Sequence, residues 1–361
     1  MKGHENYHVH CLLKELMAQR NITVDELHLR ARVSRETISR LRVNSLLGVR
    51  IKAIARICGA LGVGISELFE LSPEDIWQPI RLTKEVTIHF GSRAESEPHP
   101  VRAGAPTVIS RQSLGSWDFR AFKWISEYLM GLKLDIRVRV EEHITGPGRG
   151  LDPDVQASAQ RVFEGGNHIV LASPVANQFA EEVVCHAYGV PPYNPQMRAT
   201  FPYGFVWDDW RRVRSSFGWQ GHGKQFGIAA LPSNKMVAPH VIVPLGEGSD
   251  GALILVYRVF QAPAQREVGS DDERVIICFL GYSGLGTLAA AQLATDPEHA
   301  AGLYPPARRV PLMRALACKT FREPSVFPGD SRTLTDVKLI PEHKQPGPAP
   351  KVRAAGGKPR R

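Results

Sequence analysis

The 361-residue chain predicts two units in tandem, a short all-α module and then a larger α/β domain with a mostly parallel sheet. Three observations carry this reading. Apolar residues recur at helical spacing, with cap signals between them, over residues 10–71. From Lys84 onward, short β-rich runs alternate with amphipathic helices. Charge is partitioned as well. Residues 1–71 hold 11 Lys/Arg and 7 Asp/Glu, and residues 323–361 hold 8 and 4. Of the totals of 45 and 36, that leaves 26 and 25 for the centre, so both ends are basic and the middle is nearly neutral. The units read as 8–72 for the helical module, 73–83 for a linker, 84–322 for the α/β domain and 323–361 for a basic disordered tail.

In the first unit, His10 to Arg20 places Leu12, Leu13, Leu16 and Met17 on one helical face and stops before Asn21. Thr23 opens a second helix, because its hydroxyl can accept from the Glu26 amide while the Glu26 carboxylate reaches back. Leu27 and Ala31, four apart, share the buried face. Val33 closes a tight turn, and Ser34 is a fresh N-cap for a helix from Arg35 to Arg42. There Ile38 and Leu41 point inward and leave Arg35, Glu36, Ser39 and Arg40 outside. IKAIARICGALGV (51–63) carries a broad apolar stripe, and ISELFEL (65–71) adds a short closing helix.

These residues resemble the Cro/repressor-type (XRE) helix-turn-helix family, through the runs ITVDELHLRARVSRETISRL and IKAIARICGALGVGISELF and the spacing between them. The resemblance implies a lambda-repressor-like, all-α helix-turn-helix module that binds double-stranded DNA in a transcription regulator. Arg35, Glu36 and Arg40 would face base edges, with Thr37 and Ser39 beside them, Ser34 on a phosphate, and Thr23 in the same interface. It also implies a homodimer, since one such module covers half of a typical two-fold site. Nine Lys/Arg against three acids between Arg20 and Arg56 suit phosphate contacts, although a solvated helical face reads the same way. One departure stands out: Arg32 occupies the turn where the family usually has Gly, so the left-handed backbone position there is either strained or shifted.

For the second unit, strands are expected at 86–90, 134–140, 168–173, 226–231, 251–260 and 274–280, and helices at 117–130, 153–163, 177–189 and 286–294. The Pro-, Gly- and aromatic-rich stretch from Val190 to Gly223 reads as a long ordered loop or an insertion. Ligands of open α/β sheets bind beyond the carboxyl ends of strands, where helix N-termini favour anions. Three strand ends run into small or polar residues, and they nominate Ser92, Ser173, Asn177, Gly281, Ser283, Gly284, Gly286 and Thr287 for a small phosphorylated or nucleotide ligand. The GYSGLGT loop lacks the Lys of a phosphate-binding P-loop and the spacing of GxGxxG. Its glycines could equally serve close packing, and Asn177 could simply cap a helix with Glu181 as a solvated first-turn acid.

An enzyme acting on a nucleotide or NAD is the competing expectation, with Glu181, Glu182, Asp118, His168 and His186 as acid-base groups. No nucleophile elbow or metal-ligand spacing supports it, and His89 and His168 within strands read as structural. No cofactor and no metal are expected. The five cysteines are scattered without a CxxC and read as buried thiols in a reducing, cytoplasmic setting. No apolar run approaches the ~18 residues of a membrane span. The last 21 residues, with six Lys/Arg and one acid, read as a solubilising end or as a basic arm for DNA.

Overall fold

The computed structural model describes residues 7–43, 46, 48–73, 75–97, 108–114, 116–145, 153–172, 177–207, 215–221, 226–231, 239–246, 248–260, 273–305, 310–322 and 332–341. The N-terminal unit runs β1 (Tyr7–Cys11), α1 (Leu13–Gln19), α2 (Val24–Ala31), α3 (Arg35–Arg42), α4 (Ile51–Leu61), α5 (Ile65–Leu68) and β2 (Phe69–Pro73). Its core is its own: Leu13, Leu27, Ile38, Leu41, Ile57 and Leu68 are fully buried against one another. α1 ends where expected, with Asn21 at φ 52°. The outer ends differ from the helices read there. His10 and Cys11 pair antiparallel with Glu70 and Phe69, and Leu12 N–H donates to the Leu68 carbonyl at 2.8 Å. The partner strand lies roughly 60 residues along the chain, at Phe69–Pro73, a pairing that a local helical template cannot see.

The second unit continues with α6 (Gln78–Thr83), β3 (Glu85–Glu97), β4 (Val108–Leu114), α7 (Ser116–Gly131), β5 (Arg137–Thr145), α8 (Pro153–Arg161), β6 (His168–Leu171) and α9 (Gln178–Tyr188). Next come β7 (Tyr203–Trp207), β8 (Gly218–Gln220), β9 (Gly227–Ala230), β10 (His240–Pro244), β11 (Ser249–Phe260) and β12 (Glu273–Gly281). α10 (Gly284–Thr295), α11 (Pro297–Ala300), β13 (Leu312–Arg322) and β14 (Arg332–Leu339) complete it. The main sheet has the order β14-β13-β11-β12-β6-β3, with β5 on the far side of β3 and β4 extending the β3 edge. The α/β class holds and the sheet is mixed. β12, β6, β3 and β5 run parallel, whereas β14, β13 and β11 continue antiparallel.

Both faces of this sheet are covered. Val275 to Leu280 are all fully buried, so β12 shows a continuous apolar run without alternation. Val275, Ile277 and Phe279 face α6, α7 and α10, while Ile276, Cys278 and Leu280 face α8, α9 and a second sheet of order β10-β9-β7-β8. Two of its four strands, β7 and β8, fall in the stretch read as a loop or insertion after Val190, β9 lies where a strand was expected at 226–231, and β10 follows it.

Two boundaries shift from the sequence reading. Within 73–83, read as a linker, Ile76, Trp77 and Ile80 are fully buried, and the Trp77 indole donates to the Ala294 carbonyl at 2.6 Å. A six-residue helix is too short to show a period, which is why it read as a connection. Within the expected tail, residues 332–339 form β14, which pairs with β13 from Leu316↔Leu339 to Arg322↔Arg332. Its polar composition suits an edge strand and imitates disorder. Residues 342–361 lie outside the described residues.

Candidate nucleic-acid interface and strand-end loops

α2 and α3 are each set by a cap. Thr23 Oγ1 accepts from Glu26 N at 3.2 Å while Thr23 N donates to Glu26 Oε2 at 2.8 Å, the reciprocal arrangement that satisfies two orphan amides. The Glu26 carboxyl is consequently held below the usual carboxylate range, first by the Thr23 amide and then by its hydroxyl. Ser34 Oγ accepts from Thr37 N at 3.2 Å and lies 2.8 Å from Thr37 Oγ1. Between the helices Arg32 adopts φ 50° and ψ 43°, the left-handed conformation expected at that turn. The His28 Nδ1–H donates to the Val33 carbonyl at 2.7 Å and ties α2 to the turn.

With Ile38 and Leu41 at zero exposure, α3 turns Ser34, Arg35, Glu36 and Ser39 outward, and Thr37 and Arg40 are half-buried. Arg35 pairs with Asp25 of α2, both groups being largely exposed, and this pairing lowers the Asp25 carboxyl. A surface pair of this kind contributes little to stability, so Arg35 can exchange Asp25 for another anion. Thr23 and Ser34 already spend their hydroxyls on caps. Both stand at helix N-termini, where free backbone amides favour anions.

At the sheet, β6 and β12 end side by side, but β3 runs on to Glu97, so Ser92 lies within a strand, paired with Leu114 and Ile144, and not at the strand end read for it. Phe90 and Phe279 both pair with Leu171, so Ser92, Ser173 and Gly281 each follow that row by two positions. Ser173 lies outside the described residues, as does the Ser92 side chain. Ser283 caps α10, accepting from Leu285 N at 3.2 Å, and its hydroxyl donates to Asp250. The loop glycines serve close packing. A Cβ on Gly284 would lie 2.7 Å from Trp117 Cβ, and one on Gly286 would lie 2.2 Å from the Gly251 carbonyl. Thr287 is buried beside Asp118. Asn177 caps α9, accepting from Phe179 N at 2.9 Å, and is 1% exposed.

The acid-base candidates do not converge. Asp118 sits on α7, whereas Glu181, Glu182 and His186 sit on α9 across the sheet. Glu181 is fully buried and not the solvated acid read from its first-turn position. It accepts from Ser216 N and Ser215 Oγ, each at 2.6 Å, and from Tyr193 N at 3.1 Å. Only the chain folding back at 193 and 215 supplies those donors, so the position within α9 gave no hint of them. Burial raises the Asp118 carboxyl to about 6, with the neighbouring Thr287 hydroxyl acting in the opposite direction.

Sequence reasoning missed a histidine row. His143 on β5, His89 on β3 and His168 on β6 lie side by side across three strands, with ring-nitrogen separations of 3.0 Å and 2.9 Å. Among the described residues, His89, Glu141 and His143 form the one group whose ligand atoms all lie within 4.8 Å. Burial pulls His89 down to about 2 and His143 to about 4. Positions 89, 143 and 168 show no ligand spacing along the chain. The readable signal was Glu141 and His143, two apart and therefore on one face of a strand.

A family model for the Cro/C1-type HTH DNA-binding domain matches residues 12–74. No curated protein and no solved structure matches the chain. The N-terminal unit is thus a DNA-binding helix-turn-helix module, which supports a regulator. Among the described residues, no helix is long and apolar enough to cross a membrane.

Proposed function

We propose that this protein regulates transcription sequence-specifically, as a dimer whose N-terminal modules insert α3 into successive major grooves. The observation that carries it is the division of α3: Ile38 and Leu41 hold the helix on the core while Arg35, Glu36 and Ser39 stand exposed. Arg35, Glu36 and Arg40 read base edges, assisted by Thr37 and Ser39, and Thr23 and Ser34 approach phosphates. Two copies reading half-sites about 34 Å apart need a contact between them, and the α/β domain is the larger surface available for it. Selection of bound sequences from a random duplex pool is the test. A two-fold consensus is expected, and Arg35→Ala with Arg40→Ala should relax it at single positions at a cost of about 1–3 kcal/mol each. Unaltered selection by that double variant, or a monomer on DNA by light scattering, contradicts the reading.

The α/β domain in this reading senses a small anionic ligand, a nucleotide or sugar phosphate, at the carboxyl ends of β6 and β12. The support is topological. These strands are adjacent and parallel, yet α9 after β6 and α10 after β12 pack on opposite faces. Strand ends that diverge in this way open a crevice. Asn177, Ser283 and the loop from Gly281 to Thr287 border it in this reading, with Ser92 on the neighbouring β3 and Ser173 two positions along the chain from the end of β6. Calorimetry of the full chain against nucleotides and sugar phosphates tests this, with Ser283→Ala expected to weaken whichever compound binds.

A further inference from the structure

We propose that His89, Glu141 and His143 bind one divalent transition-metal ion, with zinc the best fit, on the α9 face of the main sheet. The argument starts from proton positions. The Gly165 carbonyl can only accept, so His168 Nε2, 2.8 Å away, carries a hydrogen. In neutral His168 the other nitrogen, Nδ1, is therefore an acceptor. His89 Nε2 at 2.9 Å must supply the hydrogen between them, which leaves a lone pair on His89 Nδ1. That lone pair points at His143 Nε2, 3.0 Å away, and at Glu141 Oε2, 3.4 Å away.

A carboxylate oxygen and a nitrogen lone pair repel unless a proton or a positive charge stands between them. The His143 Nε2–H fills the imidazole contact in the metal-free protein, and a metal ion in place of that proton serves all three donor atoms at once. For Zn–N bonds of about 2.0–2.1 Å, tetrahedral ligation puts neighbouring donor atoms about 3.3 Å apart, close to the two separations observed. The third edge, from Glu141 to His143, is within 4.8 Å and closes by rotation of the Glu141 carboxylate, whose side chain is 54% exposed.

The surroundings match what a metal site requires. His89 is opposite Glu141 in the parallel register, and His143 is opposite Gly91, so the donors come from alternate rungs of one strand pair, on the same face. Phe179 stacks on the His143 ring at 3.7 Å and on that of His89 at 4.7 Å, fixing both rings. His168 then serves as the outer partner that sets the His89 tautomer, and Gly165 anchors His168. A ligand histidine usually donates its other N–H to a carboxylate, a carbonyl or water; here the acceptor is the His168 ring, whose own N–H is held by the Gly165 carbonyl. Two imidazoles and one carboxylate leave a fourth position for water or an exogenous ligand.

Cobalt(II) titration of the full-length protein, with metal content measured after desalting, tests the proposal. One ion per chain is expected, with the visible absorption of four-coordinate nitrogen and oxygen ligation and no thiolate charge-transfer band, and zinc should displace it. Glu141→Gln should abolish this stoichiometric site. Because Glu141 is exposed, that variant keeps its fold by circular dichroism. His168→Asn should retain the ion with affinity weakened by about 10–100-fold. Absence of stoichiometric binding, a spectrum unchanged in Glu141→Gln, or a thiolate band would each overturn the assignment.

Discussion

Glu181 and Asp118 show how far one carboxyl's environment can depart from another's in a single domain. Glu181 is enclosed but holds two backbone amides and a serine hydroxyl. Glu181→Ala orphans those donors at about 1 kcal/mol or more apiece, a loss on the order of 3 kcal/mol to be read from the guanidinium chloride midpoint. Asp118 is shielded from water with the Thr287 hydroxyl opposing its shift, and its carboxyl rises to about 6. A raised carboxyl favours the folded state fully below the unfolded value of about 4, and that contribution is lost as pH rises through about 6. Thermal melts from about pH 4 to 7 should therefore show a decline in the wild type that is reduced in Asp118→Asn. An equal decline in both would mean that other groups govern the slope.

Among the elements, the turn between α2 and α3 carries visible strain. Arg32 stands at φ 50°, where a Cβ costs about 1–2 kcal/mol and glycine none. Its carbonyl accepts from Arg56 Nη1 at 3.3 Å, a backbone contact that glycine preserves. Arg32→Gly should raise the urea midpoint by an amount equivalent to roughly 1 kcal/mol with the same slope. No gain would mean that the arginine side chain compensates in place. The same scale explains why α6 and β14 were illegible in the sequence. The six residues of α6 are too few for a helical period, and β14, at the edge of the sheet, buries too little to require the apolar alternation by which a strand is read.

For the molecule as a whole, the C-terminal segment divides in two at the end of β14. Ending the chain after Pro341 keeps the β13–β14 pairing and should leave thermal stability unchanged. It removes six Lys/Arg, so a shallower salt dependence of DNA binding is expected if that end touches phosphates. Ending it after Arg322 strips β14 and bares the backbone edge of β13, which should lower the melting temperature and promote association through that edge. Equal melting temperatures for the two truncations would show that β14 adds no stability.

What the sequence determined by itself is whatever depends on neighbours in the chain. The caps at Thr23 and Ser34, the inward Ile38 and Leu41, the left-handed Arg32, and the alternation of strands with α7 to α10 all rest on contacts within about four residues. The DNA-binding module was legible for that reason. Tertiary structure alone decided the rest. Parallel register set His89 beside Glu141 and His143, and chain folding brought residues 193 and 215 to Glu181. Side-by-side packing turned the glycines at 284 and 286 into contact points for Trp117 and Gly251. Those relations join positions tens to more than a hundred residues apart, and strand pairing fixes them only once a whole face is buried, so no local pattern encodes them.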